Sequence, residues 1–310
     1  MRFSGLFTVA ALCVLLAACG TSDYQKPIQT FSDATELTRQ SLHGYTDALV
    51  AQVRDGRMQE ALESPRSVKY EQGGCLVSSK RCRIVLQGEG EEPKQLSPDE
   101  PIPKILALMD AIAAYADGLN AIATSDSAGK AEASLASVDG SLQQLASLAG
   151  QQGQALQGYA APAAAAAGWI FGEYIDSVRY RALQDATKRA DPVIGDAVRV
   201  LQDVAKEVNI ANRAALAETV SKRKDAFRAA ESESSLESLL AAAAAYDAAL
   251  TAAPSGVFEK LRESHAELTK ALNTEGISFA TAFAKMESLK AEAEKLKKIV
   301  SAFVAASKKG

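Results

Sequence analysis

Apolar residues recur at spacings of three and four along most of the chain, and this spacing predicts a series of amphipathic α-helices. The predicted helices cover about 31–62, 103–124, 128–150, 191–230, 236–252, 255–273 and 277–308. The seam of the last one consists of Phe279, Phe283, Met286, Leu289, Ala293, Leu296, Val300 and Phe303. Such a 3/4 rhythm is typical of left-handed bundle packing. The pattern therefore predicts an all-α fold, an elongated antiparallel bundle of five to seven helices with coiled-coil character.

Two proline signals add boundaries to this pattern. Pro103 is expected in the first turn of its helix, where its missing N–H has no partner in any case. Asp191 followed by Pro192 has the composition of a helix start, with the aspartate as N-cap and the proline as first helical residue. A helix is therefore expected to begin at this pair.

The segment 64–103 interrupts the helical pattern and contains most of the proline in the chain. Short strand-like stretches at 67–70 and 83–86 lie on either side of Cys75 and Cys82. The sequence thus predicts a small β-hairpin inserted between the first two helices. The acidic stretch 88–100 is expected to be a loop.

The N-terminus has a separate pattern. Arg2 precedes a largely apolar segment at 3–16, which is followed by small residues, as in a secretory signal peptide. The segment is too short to cross a bilayer, which needs about 20 apolar residues. Leu16-Ala17-Ala18-Cys19 then resembles the lipobox of bacterial lipoproteins. The resemblance covers the first twenty residues only, and an ordinary secretory signal with a nearby cysteine is the alternative.

The lipoprotein resemblance implies a location and an attachment. Residues 1–18 would be removed as the signal peptide, Cys19 would carry diacylglyceryl and palmitate-type acyl chains, and 19–30 would form a lipidated tether. The helical domain would then cover 31–310. In such lipoproteins an aspartate after the cysteine favours the inner membrane, so Gly20 implies the outer membrane, facing the periplasm.

The chain has four cysteines, and two of them have roles at the N-terminus. Cys13 lies in the expected signal peptide and Cys19 is the expected lipidation site. Cys75 and Cys82 remain as an even pair in an oxidising compartment, which favours a disulfide that closes the hairpin. Their C-x6-C spacing matches no usual zinc pattern. Free or redox-active thiols and a metal site stay open as alternatives.

Composition and charge narrow the function classes. Alanine is abundant, which supports helices, and aromatic residues make up only 6% of the chain. The net charge is −4 with the two signs interspersed, so the chain lacks the concentrated basic face that nucleic-acid binding needs. The densest basic run in the body, Lys222-Arg223-Lys224, is expected to be a solvated turn of helix.

No motif predicts catalysis. The chain carries no glycine-rich phosphate cradle, serine-hydrolase elbow or metalloprotease motif. Its only histidines, His43 and His265, are expected at the surface or at its boundary. Carboxylate pairs such as Glu231 and Glu233 are expected to be solvated. We therefore assign no catalytic, cofactor-binding or metal-binding residue and no cofactor, and expect a non-enzymatic protein.

Three functions are compatible with these features. The first is a structural or protein-interaction module that binds the membrane through its N-terminal lipid and contacts another envelope protein. The hairpin tip at 78–81 is a candidate contact surface, although a solvated loop would look the same. The second is a membrane-active bundle resembling α-pore-forming proteins, since 140–172 holds no charged residue and includes Trp169, the only tryptophan. A packed central hairpin explains that stretch equally well. The third is an enzyme with an unrecognised carboxylate site.

Overall fold

The computed structural model describes residues 23–70, 84–88, 94–95, 102–150, 171–251 and 254–307, and these form an all-α bundle with a small β-sheet. The elements are α1 (Gln25–Glu63), β1 (Val68–Tyr70), β2 (Ile84–Leu86), β3 (Lys94–Gln95), α2 (Ile102–Thr124), α3 (Ala128–Leu148), α4 (Phe171–Ala230), α5 (Glu233–Thr251), α6 (Ser255–Asn273) and α7 (Phe279–Ser307). A 3₁₀ turn at Pro65–Ser67 links α1 to β1. The predicted all-α class is confirmed.

Helix α1 begins at Gln25, six residues before its predicted start. Pro27 had favoured an extended tether up to residue 30. The proline fits because it lies in the first turn of α1, where backbone N–H groups have no intrahelical acceptor. The side chains of Tyr24 and Ile28 are buried in the core, and this burial draws the segment into the helix.

Neighbouring helices in sequence pack antiparallel, as α1 and α2 show. Ser32 near the start of α1 donates a hydrogen bond of 2.6 Å to Asp117 near the end of α2. Further along α1, the Arg39 guanidinium lies 3.3 Å from Asp110, which is nearer the start of α2. The contacts therefore run in opposite directions along the two helices.

Helices α1 and α7 instead run parallel, which corrects the purely antiparallel expectation. The rings of Tyr24 and Phe279, near the two helix starts, are 6.4 Å apart, and those of Tyr45 and Phe303 are 6.0 Å apart. We call the end where α1 and α7 begin the near end. Helix α4 runs in the same sense, because Tyr180 lies 5.7 Å from Tyr24 and residue 212 lies beside Tyr45. We call the opposite end, towards which α1, α4 and α7 run, the far end.

Helix α4 continues through Pro192, so the predicted helix start at Asp191 is wrong. The proline removes one backbone hydrogen bond and costs about 3 kcal/mol in a helix interior. The apolar stripe of α4 continues on both sides of it, however, and is buried at Leu183, Ala186, Ala190, Val193, Ile194, Ala197, Val198 and Leu201. Burial of that stripe offsets the lost bond. The Asp191 carboxylate contacts another helix instead of capping this one.

The predicted β-hairpin is confirmed where the structure describes it. Strands β1 and β2 pair antiparallel with Val68 opposite Leu86 and Tyr70 opposite Ile84. Lys94 and Gln95, expected in a loop, add a third strand on the other edge of β2. The extra strand satisfies backbone groups of β2 that a two-stranded hairpin would leave unpaired.

Helices α2 and α3 approach closely at Gly118. A Cβ atom at this position would lie 2.6 Å from Cγ2 of Val138, whose side chain is fully buried. We expect Gly118→Ala to lower the free energy of unfolding by about 1–3 kcal/mol, because the packed valine cannot move aside. Gly140→Ala on α3 is the matched control. It has open space around it and is expected to stabilise by up to about 1 kcal/mol. Urea unfolding followed by circular dichroism measures both, and equal effects would contradict the close approach.

Candidate functional site

Several residues singled out from the sequence lie outside the described residues. They are the expected lipidation site Cys19, the expected disulfide partners Cys75 and Cys82, the hairpin tip at 78–81, and Trp169 with the uncharged stretch 151–170. Their roles remain predictions. The described chain does place both histidines, the basic run 222–224 and the helix faces that could contact a partner.

His265 is buried, with 1% of its surface exposed, so its expected position at the surface is wrong. Its Nε2 lies 2.9 Å from the hydroxyl of Tyr115 on α2, and its Nδ1 lies 3.2 Å from Oδ1 of Asp191 on α4. A carboxylate only accepts, so Nδ1 donates to Asp191 and, in the neutral ring, Nε2 accepts from the tyrosine. One hydrogen-bonded chain thereby joins α2, α4 and α6 through the core.

Burial and hydrogen bonding set the pKa values of Tyr115 and Asp191 in this hydrogen-bonded chain. Burial, with a further contribution from the Asp191 charge, raises the pKa of Tyr115 well above its ordinary value. The hydrogen bond from His265 lowers the pKa of Asp191 below its ordinary 3.8. A lowered carboxylate pKa stabilises the fold above pH 3.8, and that contribution is lost as pH falls through the folded-state pKa. Tyr115 and His265 have almost no exposed surface, whereas the Asp191 side chain is 50% exposed, so these hydrogen bonds link three helices and only the carboxylate reaches solvent.

The position of His265 had a signal in the sequence. It occupies the same stripe as Leu261, Leu268 and Leu272 at spacings of four, three and four, and all three leucines are fully buried. The periodicity places a histidine on the buried face of α6.

His43 is the half-buried counterpart of His265 and confirms the boundary position expected for it. Its Nε2 lies 2.9 Å from Oδ1 of Asp110, which also receives the Arg39 guanidinium. About a third of the His43 side chain remains exposed. The chain therefore contains two histidine–aspartate pairs that differ mainly in burial.

A second buried polar contact lies between α1 and α4. The Tyr45 hydroxyl is beside the Asn212 amide, and burial raises the pKa of Tyr45 to about 12. Asn212 is 3% exposed, and its amide atoms complete no hydrogen bond of good geometry among the residues described. This contact marks the level beyond which the core thins towards the far end.

Large apolar side chains are exposed at and beyond that level. We define the far-end apolar set as Met58, Leu62, Ile210, Leu236, Leu240 and Leu250, all between 39% and 76% exposed. Val68 is the remaining exposed large hydrophobic in the described part of the chain. Near-end residues of similar size, such as Ile28 and Phe31, are completely buried. Exposure of apolar surface is therefore a property of the far end.

The end of α4 and the start of α5 form an antiparallel pair that we call the tip hairpin, residues 217–241. Not one residue in this range is buried, whereas Leu216 before it and Ala242 after it are. Glu231 turns the chain with a left-handed φ of 45°. The backbone N–H groups of Ser232 and Ser235 each donate to the side chain of the other residue and start α5. The turn is thus well defined although the hairpin lacks a core.

The two helices of the tip hairpin carry opposite charges. The end of α4 carries four basic residues, Lys222, Arg223, Lys224 and Arg228, and two acidic ones, Glu218 and Asp225. Lys222 and Lys224 are exposed, as expected for a solvated turn, and Arg223 is half-buried. Lys224 and Arg228 share one face, because they are four residues apart, and Arg228 lies 3.9 Å from Asp225. Helix α5 has no Lys or Arg and carries Glu233, Glu237 and Asp247. Lys222 also lies 3.2 Å from Glu218 one turn earlier on α4. The result is a basic edge at Lys224 and Arg228 and an acidic edge at Glu233 and Glu237 on one projecting element.

Two spans are long and apolar enough to cross a membrane by length and composition. In α2 (Ile102–Thr124) 61% of the apolar window is buried, which is typical of a core helix. In Glu233–Asn273, which includes α5 and α6, the buried share is only 20%. The described residues contain no group of three or more His, Cys, Asp or Glu side chains that could hold a metal ion.

Comparisons with protein-family models, with curated proteins and with solved structures found no match to this chain. Function is therefore argued from the chain's own residues. The features that bear on it are the well-packed near end, the exposed far-end apolar set and the charged tip hairpin.

Proposed function

We propose that this chain is a lipid-anchored envelope lipoprotein of the outer membrane, facing the periplasm, and that it acts through protein contacts at its far end instead of through catalysis. The lipobox resemblance at Leu16-Ala17-Ala18-Cys19 supports the anchor. The far-end apolar set supports the contacts and is the observation on which the proposal mainly depends.

The geometry suits a protein held at one end. Helix α1 begins at Gln25, so the proposed anchor at Cys19 is six residues from the near end. Helix α4 has 60 residues, which corresponds to about 90 Å of helix. A lipid at the near end would therefore hold the far end well away from the membrane surface, where another protein could reach it.

Exposed apolar side chains at one end are typical of an interaction site. Single exposed leucines need no explanation, but a concentration of them at one place marks contact surfaces. Here the same molecule completely buries near-end apolar residues such as Ile28 and Phe31. The Tyr115–His265–Asp191 hydrogen bonds tie α2, α4 and α6 together in the body from which the far end extends.

The test is site-specific photo-crosslinking in cells with the intact chain. A photoreactive residue in place of Met58 or Leu62 is expected to give one adduct of the same mass at both positions, containing an envelope protein. Glu275, exposed at the near end, is the control position and should give none. Adducts at Glu275 alone, or none at the far end, would contradict the proposal.

A membrane-active bundle is the second candidate, favoured by the low burial of the apolar 18-residue window within Glu233–Asn273. Dye release from liposomes on addition of the intact protein would support that function and contradict the first. The acidic face of α5 argues against it, because helices that lie in anionic membrane surfaces are rich in Lys and Arg.

A further inference from the structure

Helix α5 has two apolar faces, and only one of them is used within the chain. Ala242, Ala245 and Ala249 are buried against the rest of the bundle. On the other side of the helix, Leu236 and Leu240 are four residues apart, and Leu250 follows Leu236 by fourteen residues, close to four full turns. These three leucines, 39% to 60% exposed, therefore form an outward stripe. The buried residues of α5 are alanines, and its most exposed apolar residues are leucines, although Tyr246 also packs against the core.

The tip hairpin also lacks support from the rest of the chain. Its α4 segment, residues 217–230, extends about 21 Å beyond the last buried residue of α4, Leu216. Isolated helices of this length are marginal in water, and most helical stability comes from packing an apolar face. In the hairpin, only partly buried contacts such as Val220 and Phe227 hold the helices together. A partner on the outward stripe would supply the missing burial.

The charges on the hairpin indicate which partner fits. A surface complementary to α5 needs basic residues next to an apolar patch. The reason is that α5 carries three acidic residues and no basic one beside its exposed leucines. The same hairpin presents Lys224 and Arg228, four residues apart, on one face of α4. Two hairpins related by a two-fold axis can therefore set the basic edge of each copy against the acidic edge of the other, with Leu236 and Leu240 between them.

We propose that two copies of this chain associate through their tip hairpins in this isologous arrangement. The inference rests on the proposed function, since it specifies one partner at the far end. A two-helix face about 21 Å long and 20 Å wide would bury about 800 Å² in total, below the 1,200–2,000 Å² of a stable interface. The association is therefore weak in dilute solution, and confinement of both copies to one membrane raises their effective concentration.

The experiment uses two differently tagged copies of the intact chain, expressed together in cells, with a photoreactive residue at Leu236 or Leu240. The expected product contains both tags. Leu62, an exposed leucine on α1 outside the hairpin, is the matched control and should give no product with both tags. Absence of the two-tag product at positions 236 and 240, or equal yield at position 62, would overturn the proposal.

Charge reversal provides the second arm. The double variants Lys224→Glu with Arg228→Glu, and Glu233→Lys with Glu237→Lys, should each lower the two-tag yield about tenfold, because like charges then face each other. Expressing one variant with the other should restore the yield. A drop without restoration would overturn the paired-edge arrangement, and circular dichroism of each variant excludes unfolding as the cause. Adducts at Leu62 that contain an envelope protein would support the proposed function, whatever the yield of two-tag product at positions 236 and 240.

Discussion

Cys19→Ala is expected to abolish the incorporation of labelled palmitate and to remove the protein from the outer-membrane fraction. The effect should be all-or-none, because the sulfur of this residue would form the thioether that carries the lipid. One acyl chain binds a membrane only marginally, whereas the three chains of a mature lipoprotein anchor it firmly. The measurement is palmitate labelling followed by membrane fractionation.

The chain provides a matched control for this experiment in Cys13. It lies six residues earlier in the expected signal peptide and would be removed with it. Cys13→Ala should therefore retain full labelling and an unchanged membrane distribution. Labelling that survives in Cys19→Ala, or is lost in Cys13→Ala, would exclude the lipobox interpretation.

His265→Ala is expected to lower the free energy of unfolding by about 3–5 kcal/mol. The substitution leaves a cavity in the core and removes the hydrogen-bond partner of the Tyr115 hydroxyl, which is completely buried. The free energy of unfolding of an ordinary domain is only about 5–15 kcal/mol, so this loss is a large fraction of the total stability. Urea unfolding monitored by circular dichroism measures it.

His43→Ala is the matched control, because it removes the same side chain from a histidine–aspartate pair that is partly exposed. We expect a loss of no more than about 1 kcal/mol there, since exposed ion pairs contribute little. If His265→Ala fails to fold, Tyr115→Phe tests the same hydrogen-bonded chain without a cavity, with an expected loss of about 1–2 kcal/mol. Equal losses for the two histidine variants would show that burial of His265 does not determine its contribution.

Much of the secondary structure could be predicted because its signals are local. The turn at 125–127, the short strands near 68 and 84, and the helix Ser255–Asn273 were all visible as spacing patterns or as glycine and proline positions. The prediction failed at Asp191-Pro192, where a good local start signal occurs inside a longer apolar stripe. There, burial of the stripe along the bundle outweighs the single lost hydrogen bond.

The candidate site was less predictable from the sequence. Helix α5 was expected near its observed limits, but its alanine and leucine faces could not be assigned to core or solvent without knowing which helices surround it. The same limitation applied to His265. Its spacing placed it on an apolar stripe. Burying the polar ring costs free energy, however, and only the hydrogen bonds with Tyr115 and Asp191 offset that cost.

The sequence by itself determined the helical class, the β-insertion and the N-terminal lipobox pattern, because periodicity, turn residues and short motifs act over a few neighbouring residues. The tertiary structure decided that α1 and α7 run parallel, that α4 continues through Pro192, that His265 joins three helices and that the tip hairpin lies outside the core. Each of these depends on which surfaces meet across large separations in the chain. Burial and hydrogen bonding between those surfaces, and not local propensity, set the outcome.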